Sequence, residues 1–202
     1  MDRKSYALGA SIGMNINANH IIELINCEDF IAGIKDFLSG DLKLDNSEIE
    51  TLMDALISEA SEREKAAKQQ ESEINLTKGI EYMKENAKKF CVQTTASGLQ
   101  YKIEQEGNGK MPHSHSTVLC HYEGKTIDGK VFDSSWARNT PAKFGLDRVI
   151  QGWTEGLQLM KEGSVFTFTI PPHLAYGDNG IPGAIGRSSV LVFKVELIEV
   201  ID

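Results

Sequence analysis

Three absences narrow what this sequence can encode. No run of 18 or more apolar residues occurs in its 202 residues, so we expect no membrane-spanning helix. Cysteine is scarce: Cys27, Cys91 and Cys120 are odd in number and far apart, which argues against a disulfide framework and a zinc ribbon. Residues 1–10 contain basic side chains, but neither an apolar core of signal-peptide length nor a cleavage site follows them. We therefore expect a cytoplasmic protein, or a periplasmic or exported one if a signal peptide has been removed.

Positive charge is also in short supply. The formal net charge is −8 at pH 7, which argues against nucleic acid and against an anionic membrane surface as partners. The acidity is concentrated in residues 1–90, which hold 17 Asp/Glu against 11 Lys/Arg, and we expect it to serve solubility. An apolar content of 41% with 25% charged residues is ordinary for a globular protein, so wholesale disorder is not expected.

Proline is absent from residues 1–90, where the apolar residues recur at helical spacing. The apolar stripe in residues 30–38 predicts a short helix, and Gly40 just beyond it predicts a left-handed cap. Ser47 followed by Glu50 predicts a capping box at the start of another helix. The first part of the chain is therefore predicted to be all-α.

A long polar helix is predicted to follow. Residues 59–75 are rich in Ala, Glu, Lys and Gln and nearly devoid of large apolar side chains, a pattern typical of a helix that bridges domains through solvent. The helical signal continues to Lys89 with no breaker other than Gly79. Unbroken over residues 47–89, this helix would be roughly 60–65 Å long at a rise of about 1.5 Å per residue. Gly79 could bend it. A disordered charged linker is the alternative, which the scarcity of Pro, Gly and Ser disfavours.

The first 45 residues carry apolar stripes but too little mass for a core of their own. Gly9 and Gly13, four residues apart, give one helix a smooth face that another backbone can approach closely. We therefore predict a homodimer formed through residues 1–60. Packing of these stripes against the C-terminal half is the alternative.

Beyond Thr94 the apolar residues alternate with a period of two, which predicts strands at residues 99–104, 117–125, 130–133, 165–170 and 189–200. Asp128-Gly129 predicts a hairpin turn, and residues 149–160 keep the spacing of one short helix. We predict an α+β fold in which an antiparallel C-terminal sheet wraps around one short helix, preceded by an all-α dimerisation region and a long connecting helix. The predicted bounds are 1–60 for the dimerisation region, 61–93 for the connecting helix and 94–202 for the C-terminal domain.

The C-terminal half carries four motifs in a fixed order. They are HYEGKTIDGKVFDSSW at 121–136, VIQGWTEGLQLM at 149–160, IPPHLAYGDNGIPGAIG at 170–186 and VLVFKVELIEV at 190–200. Together they resemble an FKBP-type peptidyl-prolyl cis–trans isomerase, and the resemblance covers nearly all of residues 95–202. The helical first half, with SYALGASIG and the ENAKK junction, resembles the dimerisation arm of the bacterial Mip-like branch of that family.

The resemblance implies an apolar pocket for a proline ring. Its residues here would be Tyr122, Phe132, Asp133, Phe144, Val149, Ile150, Trp153, Tyr176, Ile185 and Phe193. Phe132, Asp133 and Tyr176 would be catalytic, and Trp153 would form the floor beneath the ring. The Ile150 backbone N–H and the Tyr176 hydroxyl would donate to substrate carbonyls. Arg138 would hold Asp133 in place.

The resemblance also implies the function. A member of this family accelerates rotation about Xaa–Pro bonds with neither cofactor nor metal, and its partners are proline-containing polypeptides. The macrolide inhibitors of the family are candidate ligands. A dimer that holds two such pockets would add chaperone-like activity, because contact at two points raises the effective concentration. The alternative is a binding module that docks proline-containing segments with little catalysis.

The sequence departs from the common family pattern at three places. Ala142 stands where the side chain is often larger, Gly186-Arg187 stands where many members have proline, and Ile181 replaces a frequent polar residue. We expect these changes to affect the preference for substrates and inhibitors more than the activity itself.

Two other chemistries fit the local residues less well. His113, His115, Cys120 and His121 lie close in sequence and are of metal-ligating types, but in a strand Cys120 and His121 would point in opposite directions, so we expect no metal site. A nucleophilic role for Cys120 is disfavoured because a buried thiol in the middle of a strand is inert.

Overall fold

The computed structural model describes residues 1–18 and 21–201, which form two compact units, Met1–Gln69 and Gln70–Asp202. The helices are α1 (Arg3–Ala18), α2 (Cys27–Ser39), α3 (Asn46–Asn86) and α4 (Gln151–Leu157), with a short 3₁₀ turn at Pro172–Leu174. The strands are β1 (Val92–Thr94), β2 (Gln100–Gln105), β3 (Thr117–Thr126), β4 (Val131–Ser134), β5 (Ala142–Gly145), β6 (Val165–Ile170) and β7 (Leu191–Ile201). None of the described helices is long and apolar enough to cross a membrane.

The start of α3 differs from the prediction. The capping box lies at Asp45 and Glu48, where the Asp45 carboxylate accepts from the Glu48 N–H at 2.9 Å and the Glu48 carboxylate accepts from the Asp45 N–H at 3.0 Å. The predicted box at Ser47 and Glu50 is wrong, because an aspartate caps a helix as well as a serine does and Asp45 lies two residues earlier. The predicted cap of α2 at Gly40 is confirmed, with φ of 75°.

The predicted long polar helix is confirmed, and the disordered linker is wrong. α3 runs unbroken from Asn46 through Gly79 to Asn86, three residues short of the predicted end at Lys89. Helix formers dominate its sequence, so local propensity and charge pairs such as Glu64–Lys68 suffice to support its exposed turns.

The second unit contains one antiparallel sheet, in the order β1-β2-β6-β7-β3-β4, with β5 also paired to β3. α4 packs against this sheet, and the buried side chains between them form the core. The fully buried members include Leu157, Phe168, Ile170, Leu191, Val195 and Leu197. The predicted α+β class, with an antiparallel sheet around one short helix after a helical region, is therefore confirmed.

Sequence pattern located the long strands but missed β1 and β5. These strands are only three and four residues long, too short to display a period-two alternation. α4 is shorter than the predicted 149–160, because Ile150 adopts an extended conformation and the chain after Leu157 continues as a turn. The predicted hairpin at Asp128-Gly129 connects β3 to β4, with Gly129 at φ of 90°.

Candidate active site

A largely apolar cavity of about 580 Å³ opens on the second unit. Its lining comprises Tyr122, Phe132, Asp133, Phe144, Arg148, Val149, Ile150, Trp153, Tyr176, Ile181, Ala184, Ile185 and Phe193. Every residue that the sequence assigned to a proline pocket is in this set. The sequence reading did not assign Arg148, Ile181 and Ala184, although the position of Ile181 in the glycine-rich loop, next to assigned Ile185, could have indicated it.

Aromatic rings surround the floor of the cavity. Trp153 of α4 is only 4% exposed, and the rings of Tyr122, Phe144 and Phe193 meet its indole edge-on, at centroid distances of 5.3–5.4 Å. Such edge-to-face contacts are the favoured geometry for aromatic pairs. The buried indole N–H of Trp153 has no hydrogen-bond partner among the described residues. The floor is therefore a rigid apolar platform of the size of a small ring.

One edge of the cavity is polar. The Tyr122 hydroxyl and the Arg138 guanidinium both donate to the Asp133 carboxylate, and Arg138 Nη2 also donates to the Tyr122 hydroxyl oxygen at 3.0 Å. Burial alone would raise the pKa of Asp133, but the hydrogen bonds from Tyr122 and Arg138 outweigh it and hold that pKa below its usual value. The cavity thus presents an ionised carboxylate whose orientation is fixed by two partners.

Two tyrosine hydroxyls at the cavity stay protonated. Burial, followed by the hydrogen bond to Asp133, raises the pKa of Tyr122. Burial, followed by the charge of Asp133, raises the pKa of Tyr176. No hydrogen bond from the Tyr176 hydroxyl to another described residue is present, so this hydroxyl remains able to donate to a ligand in the cavity.

Comparison with known proteins decides the family. Residues 108–198 match the model of the FKBP-type peptidyl-prolyl cis-trans isomerase domain, and residues 1–103 match the model of the domain amino-terminal to it. The FKBP-type peptidyl-prolyl cis-trans isomerase FkpA of Escherichia coli (strain K12) is 40% identical over 206 residues, covering 98% of this chain and 76% of that protein. The chain belongs to the family of FKBP-type peptidyl-prolyl cis-trans isomerases. It is therefore an enzyme that accelerates rotation about Xaa–Pro bonds.

A further FKBP-type relative and a crystal structure match nearly the whole chain. The FKBP-type 22 kDa peptidyl-prolyl cis-trans isomerase of Escherichia coli (strain K12) is 41% identical over 197 residues, covering 98% of this chain and 94% of that protein. The crystal structure of FkpA from Escherichia coli superposes with a TM-score of 0.81 at 38% identity, covering 98% of this chain and 95% of that chain. The similarity therefore extends over the helical arm as well as the FKBP-type domain.

His121 and Cys120 of β3 lie outside the aromatic cavity. His121 shares a hydrogen bond with Ser135 Oγ at 2.9 Å and stacks on Trp136, whereas Cys120 is buried on the opposite face of β3. Burial raises the pKa of Cys120 to about 12, so its thiol is not a nucleophile at neutral pH. The described residues contain no cluster of three or more potential metal-ligating side chains.

Proposed function

We propose that the aromatic cavity is the site of Xaa–Pro isomerisation, with Phe132, Asp133 and Tyr176 as the catalytic residues. The observation that supports this assignment is the convergence of an aromatic floor, an oriented carboxylate and a tyrosine hydroxyl on one cavity. In this proposal a proline ring sits on Trp153. Phe132 and Phe193, packed edge-to-face at a centroid distance of 5.6 Å, form one wall of the pocket.

The chemistry of rotation suits an apolar cavity. The barrier to rotation about an Xaa–Pro bond is about 20 kcal/mol, so uncatalysed exchange takes tens of seconds or longer. In the twisted state the amide loses conjugation, its carbonyl becomes less negative and its nitrogen more basic. A dry aromatic site therefore binds the twisted amide better than the planar one, which is differential binding of the transition state. A 10⁴-fold gain requires only about 5.5 kcal/mol. No covalent bond breaks, so no cofactor is required.

The polar groups of the cavity position the substrate in this proposal. Among the described residues, no backbone carbonyl accepts from the Ile150 N–H, which precedes α4 in an extended conformation. This N–H and the Tyr176 hydroxyl donate to the carbonyls that flank the rotating bond. Asp133 faces the rotating amide, and Arg138 keeps that carboxylate in place. The bound substrate is thereby held in the turn-like pose that rotation requires.

We expect the isomerisation rate to be flat from about pH 6 to about pH 9. The pKa of Asp133 lies below its usual value, so this carboxyl group is ionised throughout the window. Its negative charge is lost only when the pH falls through that lowered pKa. The pKa values of Tyr122 and Tyr176 are raised, so both hydroxyls stay protonated above it. Exchange rates of a proline peptide measured at pH steps with the full chain check this. A bell-shaped profile centred near pH 7 would contradict the assignment.

Two-dimensional exchange NMR on a short Xaa-Pro peptide tests the proposed function. Catalytic amounts of the protein are added, and the cis–trans exchange rate is expected to rise in proportion to the enzyme concentration. If the peptide resonances shift but exchange does not accelerate, the cavity is a proline-binding module without catalysis, and the proposal is wrong.

We further propose that residues 1–60 form a homodimer with chaperone-like activity on unfolded chains. The first unit exposes large apolar side chains on its helices, among them Tyr6 and Leu8 of α1 and Phe37 and Leu38 of α2. Monomeric proteins rarely leave so much apolar surface in contact with water, and a second copy of the same surface would cover it. Two linked pockets then engage one substrate chain at two points.

Removal of residues 1–69 is expected to convert the dimer into a monomer, so that the sedimenting mass falls to half of the mass that a shortened dimer would have. The rate of peptide isomerisation should stay unchanged. Refolding of a slow, proline-limited substrate protein should become slower at equal pocket concentration, because each molecule then holds one pocket. Sedimentation and refolding assays on the full chain and on the shortened chain measure both effects. A shortened chain that refolds the substrate as well as the full chain does would contradict the chaperone-like role.

Three other assignments stay predictions. They are the domain bounds 1–60, 61–93 and 94–202, binding of the macrolide inhibitors of the family, and a cytoplasmic location with the periplasm as the alternative for an exported chain.

A further inference from the structure

One wall of the cavity is a loop without regular secondary structure. It is the segment 175–190 between the 3₁₀ turn and β7, here called the pocket loop, and it contributes Tyr176, Ile181, Ala184 and Ile185 to the cavity lining. A pair of hydrogen bonds of 2.8 Å between Ile181 and Ile185 closes its tip. At its base the Ser188 N–H donates to the Gly177 carbonyl at 2.9 Å, and the Arg187 guanidinium donates to the Asp178 carbonyl. The loop therefore closes on itself, and its position relative to the rest of the unit depends on further contacts with neighbouring elements.

The base of the pocket loop is attached to α3. Ser188 Oγ donates to the Asp178 carboxylate at 2.7 Å, and Ser72 Oγ lies 2.6 Å from Ser188 Oγ. A hydroxyl has one proton to donate, so Ser72 must be the donor to Ser188. Asn75 Nδ2 donates to the backbone carbonyl of Arg187 at 2.8 Å. Two side chains one helical turn apart on α3 therefore bind the same stretch of loop.

Small residues allow this close approach. A Cβ on Gly186 would lie 2.8 Å from the Glu71 carboxylate and 2.9 Å from Asn75 Nδ2, and a Cβ on Gly79 would lie 2.7 Å from a methyl of Val190. Both glycines thus stand where helix and loop touch. Gly186-Arg187 is also where the sequence departs from the common family pattern.

We propose that Ser72 and Asn75 of α3 are positioning residues for prolyl isomerisation, which hold the pocket loop so that Tyr176 and Ile185 face the substrate. The proposal rests on the isomerase function of the cavity. Neither residue touches the cavity, and both act through Arg187, Ser188 and Asp178. In this proposal the part of α3 from Gln70 onward, which shares a compact unit with residues 94–202, supports the isomerase domain.

Asn75→Ala in the full chain tests the proposal. Loss of one net hydrogen bond to the loop is expected to weaken binding of a proline peptide, seen as a roughly 5- to 10-fold rise in KM with a smaller change in kcat. Amide hydrogen exchange at Ile185 and Ser188 should accelerate, while exchange at Phe168 in β6 stays unchanged. Ser72→Ala should act in the same direction, and Ser72→Thr, which keeps the hydroxyl, should restore the parental KM.

Thr77→Ala is the matched control. Thr77 lies on the exposed part of the same helix turn, where its hydroxyl bonds only to the Glu73 carbonyl, so KM should not change. If the parent chain is active and KM is unchanged in both Asn75→Ala and Ser72→Ala, the positioning proposal is wrong while the isomerase assignment stands. A KM that rises equally in Thr77→Ala would overturn it as well, since the effect would then be general to the helix. An inactive parent chain would instead overturn the isomerase assignment.

Discussion

Phe132→Ala is expected to lower kcat/KM for a proline peptide by about 10- to 100-fold, the largest effect on activity that we predict. Burial of a phenylalanine side chain against a ligand contributes about 1.5–3 kcal/mol, which corresponds to this range. The Phe132 ring stands against Phe193 beside the Asp133 carboxylate, so its loss opens the apolar wall and admits water next to the rotating amide. Two-dimensional exchange NMR at several enzyme concentrations measures the change.

Phe90→Ala is the matched control for this loss of activity. The Phe90 side chain is 90% exposed and lies outside the cavity, so the same chemical truncation should leave kcat/KM unchanged. Phe132→Ala must also remain folded, which circular dichroism and the free energy of unfolding establish. A folded Phe132→Ala chain with the parental kcat/KM would show that the aromatic wall is not the reaction site.

Phe168→Ala is expected to reduce the free energy of unfolding by about 3–5 kcal/mol, the largest effect on stability that we predict. Phe168 lies in β6 with 0% exposure, and a Cβ on Gly156 of α4 would lie only 2.6 Å from its ring. The ring therefore fills space at a close contact between α4 and the sheet, and its removal leaves a cavity there. Since a domain is stable by only about 5–15 kcal/mol, this is a large fraction of the total.

Urea denaturation of the full chain, followed by the fluorescence of Trp136 and Trp153, measures this loss. The same control, Phe90→Ala, should change the free energy of unfolding by less than about 0.5 kcal/mol, because an exposed ring loses little burial when it is removed. A change of similar size in both variants would contradict the placement of Phe168 in the core.

Local sequence pattern predicted those elements whose apolar residues repeat within the element itself. The apolar stripe in residues 30–38 predicted α2, and the alternation at residues 165–170 predicted β6, because in each the apolar side chains repeat with the period of the element. The start of α3 at Asp45 shows the limit of such signals. The sequence is compatible with a capping box at Asp45 and Glu48 and with another at Ser47 and Glu50. In the structure the hydrogen bonds form at Asp45 and Glu48.

The contact face of α3 explains why the sequence predicted a helix that is exposed to solvent on all sides. Ser72, Asn75, Gly79 and Asn86 recur at intervals of 3, 4 and 7, yet none is a large apolar residue, so the helix looked solvated on all sides. Asn86 donates to Gln100 at 2.8 Å and Asn75 to the Arg187 carbonyl at 2.8 Å. Packing through hydrogen bonds and a glycine leaves no hydrophobic signal in a sequence.

The sequence by itself determined the family, the fold class and ten of the residues that line the cavity. Its four ordered motifs place aromatic residues at strand ends, on a helix and in a loop, and such spacing is a local property of the chain. Only the tertiary structure decided that the Tyr122 hydroxyl donates to the Asp133 carboxylate and that Ser72 and Asn75 of α3 bond to the pocket loop. These contacts join residues up to 116 positions apart, and their distances depend on how the whole unit packs.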